Sequence, residues 1–315
     1  MAARATRSAS GGNAAASSDN DDDSRSLLLA LSHDELGVIV DGLADPLRPA
    51  VAVALSSTCL GLRTPLQAAL EVLNERHARA VALCRKVGTS CAELSDADEL
   101  SWTLKGLTAA DMATLGMLLS KWLPRLHILH IDRCGCGDAG MQALCEGLGP
   151  GAATSLRQLN LGFNQFGPVG AEAFAAALRR GAMPKLEWLG LSFNPIGSQG
   201  VAALAESLRK MPALLFLDLS WCEIGDEGVA SLVANLGKDD FKALNILFLR
   251  NNKITDVGIA TLARVRDAPN TNALPKLEAL FLMENPASAA ALQAAKDALG
   301  TTAVAISSAV TDDAL

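Results

Sequence analysis

One run of residues occurs in six copies along this chain, and that recurrence limits its fold more than any other feature. Leu126, Leu129, Ile131, Cys134, Cys136, Gly137 and Gly140 set the spacing. It returns at Leu156, Leu159, Leu161, Asn164, Phe166, Gly167 and Gly170, and again at Leu186, Leu189, Leu191, Asn194, Ile196, Gly197 and Gly200. A fourth copy holds Leu214, Leu217, Leu219, Cys222, Ile224, Gly225 and Gly228, and a fifth Leu244, Leu247, Leu249, Asn252, Ile254 and Gly258. The sixth, Leu277, Leu280, Leu282 and Asn285, stops short. The starts are separated by 30, 30, 28, 30 and 33 residues. A unit of this size cannot bury its apolar side alone, so the copies must stack as a solenoid.

Each copy reads L-x-x-L-x-L-x-x-N/C-x-I-G, followed by a helical stretch. The last two leucines alternate, which places both on the buried side of a short strand. Cys134, Asn164, Asn194, Cys222, Asn252 and Asn285 fall where the chain turns sideways. An inward asparagine there can satisfy backbone groups cut off from water, and a cysteine does so less well. Gly140, Leu144 and Leu148, like Gly200, Leu204 and Leu208 or Gly228, Leu232 and Leu236, share a helix face. Pro124, Pro184, Pro212 and Pro275 then stop each helix two residues before the next copy. Strands stack about 4.8 Å apart, whereas helices need about 8–10 Å, so the stack must bend with its strands inside. Trp102, Leu104 and Leu107, with a helix through Met112 and Leu119, are expected to form a degenerate first unit. A helix over Ala287–Leu299 and the apolar stretch Ala303–Ile306 are expected to close the other end.

The residues that carry this pattern resemble the leucine-rich repeat, in its longer ribonuclease-inhibitor-like class, over about residues 100–300. The resemblance implies an α/β solenoid of curved strand–helix repeats with a parallel concave sheet, and a non-enzymatic scaffold that binds a protein partner. Residues between the buried leucines face the concavity. Their first column is Ile128, Gln158, Trp188, Phe216, Ile246 and Ala279. The second is His130, Asn160, Gly190, Asp218, Phe248 and Phe281, and the third Asp132, Gly162, Ser192, Ser220, Arg250 and Met283. Arg133, Phe163, Phe193, Trp221, Asn251 and Glu284 stand at the rim. Only twelve residues are aromatic, with no tyrosine, and Trp188, Phe216, Phe248, Phe281, Phe163, Phe193 and Trp221 all fall on this side. Clustered aromatics mark interaction surfaces, so Trp188, Phe216, Phe248, Phe281, His130, Asp218 and Arg250 are the candidate partner-binding residues. Phe163, Phe193 and Trp221 have a second reading, as a structural rim packed on itself.

Several chemistries find no support in the residues. Cys134 and Cys136 lie near His127 and His130, but the two cysteines fill inward positions while His130 points outward, so four convergent zinc ligands are not expected. The only Gly-Lys pair, Gly237-Lys238, is followed by Asp239, which excludes a phosphate-binding loop of the usual kind. There is no G-x-S-x-G elbow or H-E-x-x-H motif, and no cofactor is implied. Activators of the Ran-type GTPase have this repeat class, which leaves phosphoryl-transfer stimulation as a remote alternative. The net charge of −7 argues against nucleic-acid or anionic-membrane binding. No apolar run approaches the roughly 18–20 residues of a membrane span. Seven scattered cysteines without a hydrophobic signal read as reduced thiols in an intracellular, most simply cytoplasmic, monomer.

The chain divides into a tail (1–26), a helical region (27–95), the repeats (96–300) and a terminal segment (301–315). The tail is Ser-, Ala- and Gly-rich with an acidic run at Asp19–Asp23, a composition that cannot offset chain entropy. Ser17 and Ser18 precede that run, and organelle targeting by the tail stays open. Thr64-Pro65 is expected to start a helix that Gly88 ends, with the polar stretch 89–99 as a junction. Leu31, Asp34, Glu35, Leu36, Ile39, Leu43, Asp45 and Pro46, then Val53, Leu55 and Ser56, resemble an F-box. That family's three-helix motif docks onto the small adaptor subunit of cullin-type ubiquitin ligases. The resemblance implies adaptor contacts from Leu31, Leu36, Ile39, Leu43 and Pro46, and a substrate-receptor role. It departs at Ser32 and Cys59, where the family carries proline and tryptophan. The other reading is an amphipathic helical cap, which the helical spacing of Leu36, Ile39, Val40 and Leu43 also fits.

Overall fold

The computed structural model describes residues 33–58, 60–234, 236–237, 240–265, 274–299 and 303–305. The expectations for the tail 1–26, for Leu31 and Ser32, and for Cys59 fall outside them. The chain forms two compact units, one up to His77 and one from Ala78.

The first unit is helical: α1 (His33–Leu43), α2 (Ala50–Thr58) and the first part of α3 (Leu60–Val87). Leu36, Ala44, Ala52, Leu66 and Leu73 form its core. Between α1 and α2, Asp45 Oδ1 accepts the Leu47 N–H at 2.8 Å, and His77 Nδ1 donates to the Pro46 carbonyl at 2.7 Å. Helix α3 starts at Leu60 rather than at Thr64. Pro65, the sixth residue of the helix, cannot donate a main-chain N–H, yet the helix continues through it. Gly88, at φ +84°, ends α3 as its freedom from a Cβ predicts.

In the second unit the stretch 89–99 holds structure of its own. Helix α4 (Cys91–Asp96) begins with a reciprocal cap between Ser90 and Glu93. Strand β1 (Glu99–Ser101) follows, then α5 (Ala109–Lys121), capped in the same way by Thr108 and Asp111. Strands and helices then alternate: β2 (Ile128–His130), α6 (Gly137–Gly147), β3 (Gln158–Asn160), α7 (Pro168–Arg179), β4 (Trp188–Gly190) and α8 (Gly197–Arg209). The series continues with β5 (Phe216–Asp218), α9 (Asp226–Val233), β6 (Ile246–Phe248), α10 (Asp256–Ala263), β7 (Ala279–Phe281), α11 (Ala289–Leu299) and β8 (Ala303–Ala305).

The eight strands form one parallel sheet in chain order. Leu100, Leu129, Leu159, Leu189, Leu217, Leu247 and Leu280 pair in one unbroken register and all are buried. This row corrects the expected first unit. Leu100 fills the strand position, Trp102 and Leu107 are buried, and Leu104 is 71 % exposed at the rim. On the opposite side the helices meet closely. A Cβ on Gly116 of α5 would lie 2.2 Å from the Leu144 carbonyl oxygen of α6, so only glycine permits that approach.

Candidate protein-binding face

Two ladders of side chains hold the repeats in phase and so fix where every concave residue points. In the first, Asn164 Nδ2 donates to the Ile131 and Leu161 carbonyls at 2.9 Å, while its Oδ1 accepts the Cys134 N–H at 3.1 Å. Asn194, Asn252 and Asn285 repeat the arrangement one unit further on, taking the N–H groups of Asn164, Cys222 and Asn252. Cysteine changes it: Cys222 donates its S–H to the Leu191 and Ser220 carbonyls at 3.4 Å and brings no carboxamide oxygen for Asn194. Burial pushes the Cys136 and Cys145 thiols up to about 12 and raises those of Cys134 and Cys222 as well. Among the described residues no cluster could hold a metal ion.

The second ladder escaped the sequence reading. Asp138 in the first turn of α6 accepts the N–H groups of Gly167 and Gly170 at 2.8 Å, capping α7 in the next unit. Asp226 caps α10 through the Thr255 and Gly258 N–H groups at 2.8 and 2.9 Å. Asp256 takes the Ser288 N–H at 2.6 Å. Ser198 serves α9 through Gly225 at 3.0 Å, and Pro168 at the same position has a side chain that can accept nothing. Carboxylates favour helix N-termini because unsatisfied N–H groups converge there. The signal was present as I-G-D and I-T-D, but Pro168 and Ser198 interrupt it.

Past each strand the main chain still bonds to the next unit. Arg133, Phe163, Phe193, Trp221 and Asn251 each donate their N–H to that unit at 2.9–3.0 Å. The rim residues Leu104, Arg133, Phe163, Phe193, Trp221, Asn251 and Glu284 all stand in the left-handed region, at φ 47–64°. Bulky residues adopt it at a cost. Three rings nevertheless stand there in a stack, Phe163 to Phe193 at 3.8 Å and Phe193 to Trp221 at 4.9 Å. The Arg133 guanidinium caps one end, 4.7 Å from the Phe163 ring centre. Each ring is still 36–42 % exposed. At the other end Asn251 donates to Glu284 at 3.1 Å.

Within the concavity Trp188, Phe216, Phe248 and Phe281 are half-buried. Phe248 and Phe281 stack at 4.7 Å. The Trp188 ring lies across Gly190, where a Cβ would meet its Cη2 at 2.5 Å, and runs nearly parallel to His130 two strands away, 6.4 Å between centroids. Asp218 spends Oδ1 on the Ser220 N–H at 2.9 Å. Gly162, Gly190, Ser220, Ala279 and Met283, expected on the concave columns, are covered by their neighbours. Arg250 has a buried Nε with no acceptor, which is uncommon for a buried donor. The surface therefore divides: Glu99, His130, Asp132, Gln158 and Asn160 make a polar end on β1–β3, and the aromatics with Arg250 make an apolar end on β4–β7.

A family model described as "Leucine Rich repeat" matches residues 152–175, 182–205 and 210–233, which contain β3, β4 and β5. The fold is a leucine-rich-repeat solenoid. Its concave sheet, outer helices and inward asparagines are one construction repeated, and the alternation of strand and helix accounts for the spacing of about thirty residues. No curated protein matches the chain in sequence. One solved structure, "Crystal structure of Rad7 and Elc1 complex in yeast", is 12 % identical over 86 % of this chain and 93 % of that one, with a TM-score of 0.22. A likeness of that size carries no inference about partner. Among the described residues no helix is long and apolar enough to cross a membrane.

The first unit places its candidate residues unevenly. Leu36 and Pro46 are buried, Ile39 is half-buried and Leu43 is 41 % exposed. Val38, Val51 and Val53 are more exposed still, at 74, 58 and 46 %. An incoming protein would meet those valines and Leu43, not Leu36.

Proposed function

We propose that this protein is a non-enzymatic, intracellular scaffold that captures a protein partner on the concave face of its leucine-rich-repeat unit. The observation that carries the reading is the half-buried group Trp188, Phe216, Phe248 and Phe281 around an Arg250 whose Nε lacks an acceptor. Large rings on a preformed surface give contact area at little ordering cost. Arg250 on the same face, its Nε buried without an acceptor, brings a positive charge that favours a partner with an acidic group there. A photo-crosslinking residue in place of Phe216 or Phe248 is expected to label one partner that the same residue at exposed Glu172, on the helical side, does not. Labelling from Glu172 alone would overturn the reading.

A second role has its own observation. Helices α1 and α2 of the first unit expose Val38, Leu43, Val51 and Val53, an apolar surface of the kind that docks on another protein. Together with the F-box-like residues this supports a substrate receptor of a cullin-type ubiquitin ligase, with the small adaptor subunit on that surface. The test is saturable binding of the full-length protein to the purified adaptor, lost in Leu43→Asp with the thermal midpoint kept. The buried Leu36 is unsuitable for this test, because a charge there would break the core. No binding by the folded wild-type protein would leave the concave face as the only proposed partner surface. The Ran-type GTPase-activating alternative gains no supporting geometry among the described residues.

A further inference from the structure

Six cysteines lie among the described residues, and only Cys91 is not buried. Its nearest sulfur belongs to Cys84. Cys84 lies in the last turn of α3 and Cys91 is the first residue of α4, with Gly88 reversing the chain between them. The two Sγ atoms are 3.7 Å apart and share a hydrogen bond. Both sides of the corner are held. The Gly88 and Thr89 N–H groups bond to the Cys84 carbonyl at 2.9 and 3.0 Å, and Ser90 and Glu93 cap each other through bonds of 2.8–3.2 Å. A disulfide needs its sulfurs at about 2.05 Å. Side-chain rotation can supply the missing approach of about 1.7 Å without moving the backbone.

We propose that Cys91 and Cys84 form an oxidative modification site for a hydroperoxide, with Cys91 attacked first and Cys84 resolving. The Cys91 sulfur attacks one peroxide oxygen, and the O–O bond breaks. Hydroxide or alkoxide leaves and takes the thiol proton, so the sulfur is oxidised to sulfenic acid while the peroxide is reduced. The Cys84 sulfur then attacks the Cys91 sulfur, the S–O bond breaks, and hydroxide departs with the Cys84 proton as water. Two thiols and one hydroperoxide become a disulfide, water and a second water or an alcohol. The roles follow from access and from proton affinity. Burial, then the bond to Cys91 and its charge, push the Cys84 thiol up to about 12. Cys84 therefore keeps its proton. The same high affinity slows the second step, so the sulfenic acid on Cys91 lasts long enough to trap. The other buried thiols stay out of reach, and those of Cys134 and Cys222 are also occupied by backbone carbonyls.

The experiment uses full-length protein carrying Cys59→Ser, treated with hydrogen peroxide and mapped by mass spectrometry. Arg85 and Lys86 lie between the two cysteines, so trypsin parts the Cys84 and Cys91 peptides only after reduction. The expected result is that linked pair as the main product, reversed by dithiothreitol. Cys84→Ser should instead accumulate dimedone-reactive Cys91, and Cys91→Ser should leave Cys84 unmodified. Should Cys84→Ser not fold, the wild-type linkage and the Cys91→Ser result decide alone. First oxidation at Cys134, Cys136, Cys145 or Cys222 would overturn the proposal. So would wild-type Cys91 passing to the sulfinic acid beside a free Cys84.

Discussion

At the residue scale the inward turn position is the sharpest test of the structure. Asn164 and Asn194 are fully buried and each serves backbone groups of two units. Asn164→Ala and Asn194→Ala are each expected to lower stability by about 1–3 kcal/mol, because buried donors and acceptors lose their partners. Urea titration measures it, and unchanged stability would contradict the ladder. Cys222 gives the reverse prediction. Asparagine there would give the Asn194 N–H a carboxamide oxygen in place of the weakly accepting Cys222 sulfur, so Cys222→Asn should gain about 0.5–1.5 kcal/mol. These positions were legible in the sequence because the period of the repeats marks them. The capping aspartates were not. Asp138 and Asp226 bond to residues 29–32 positions away, and Pro168 leaves a gap in their series. Asp226→Ala is expected to cost about 1–2 kcal/mol, as the loss of a helix cap does.

At the scale of single elements, the rim separates backbone cost from side-chain purpose. Leu104 has the same left-handed backbone as its neighbours and is mostly exposed. Leu104→Gly should therefore raise stability, by up to about 1 kcal/mol. Phe193→Gly should not, because it removes the middle ring of the stack. Replacing Trp188 and Phe216 by alanine is expected to abolish partner capture with the thermal midpoint nearly unchanged, since both rings lie on the surface rather than beneath it. A collapse in stability would make them core residues. Sequence spacing assigned these side chains to the concave columns, because a two-residue alternation fixes the side of a strand. In the first unit, whose leucine run is incomplete, it found Trp102 and Leu107 but included the exposed Leu104 and passed over Leu100, which the register uses. It also could not show that Trp188 needs Gly190 beneath it, a contact between side chain and backbone that no periodicity encodes.

At the scale of the second unit, charge sets the response to acid. Glu93 has its carboxyl lowered by bonds from Ser90, and Asp256 by bonds from Ser288. For Asp111 and Asp240 burial works the other way, but bonds from Lys86 and Thr108, and from Gly237 and Lys210, outweigh it. A carboxyl lowered in the folded state binds protons more readily when unfolded. Its stabilising effect is complete above the ordinary carboxylate range and is lost as pH falls through the lowered folded value. Thermal midpoints should be level from about pH 7 to 5 and fall below about pH 4. Asp111→Asn should flatten part of that decline.

The joints between repeats are not equally strong, and this bears on how the arc responds to force. Every joint has the backbone bonds of the sheet, but the joint between the units beginning at Leu186 and Leu214 lacks the asparagine bond that the joints on either side have. There Cys222 stands in for asparagine, and the cap on α9 is the single hydroxyl of Ser198. It is also the shortest repeat, 28 residues. Tension across that seam would meet less resistance from side chains than an asparagine in place of Cys222 would offer. The seam runs between β4 and β5, where Trp188 pairs in register with Phe216. A seam without its asparagine bond thus passes beneath the centre of the aromatic surface, where a change of curvature would adjust the spacing of the two rings.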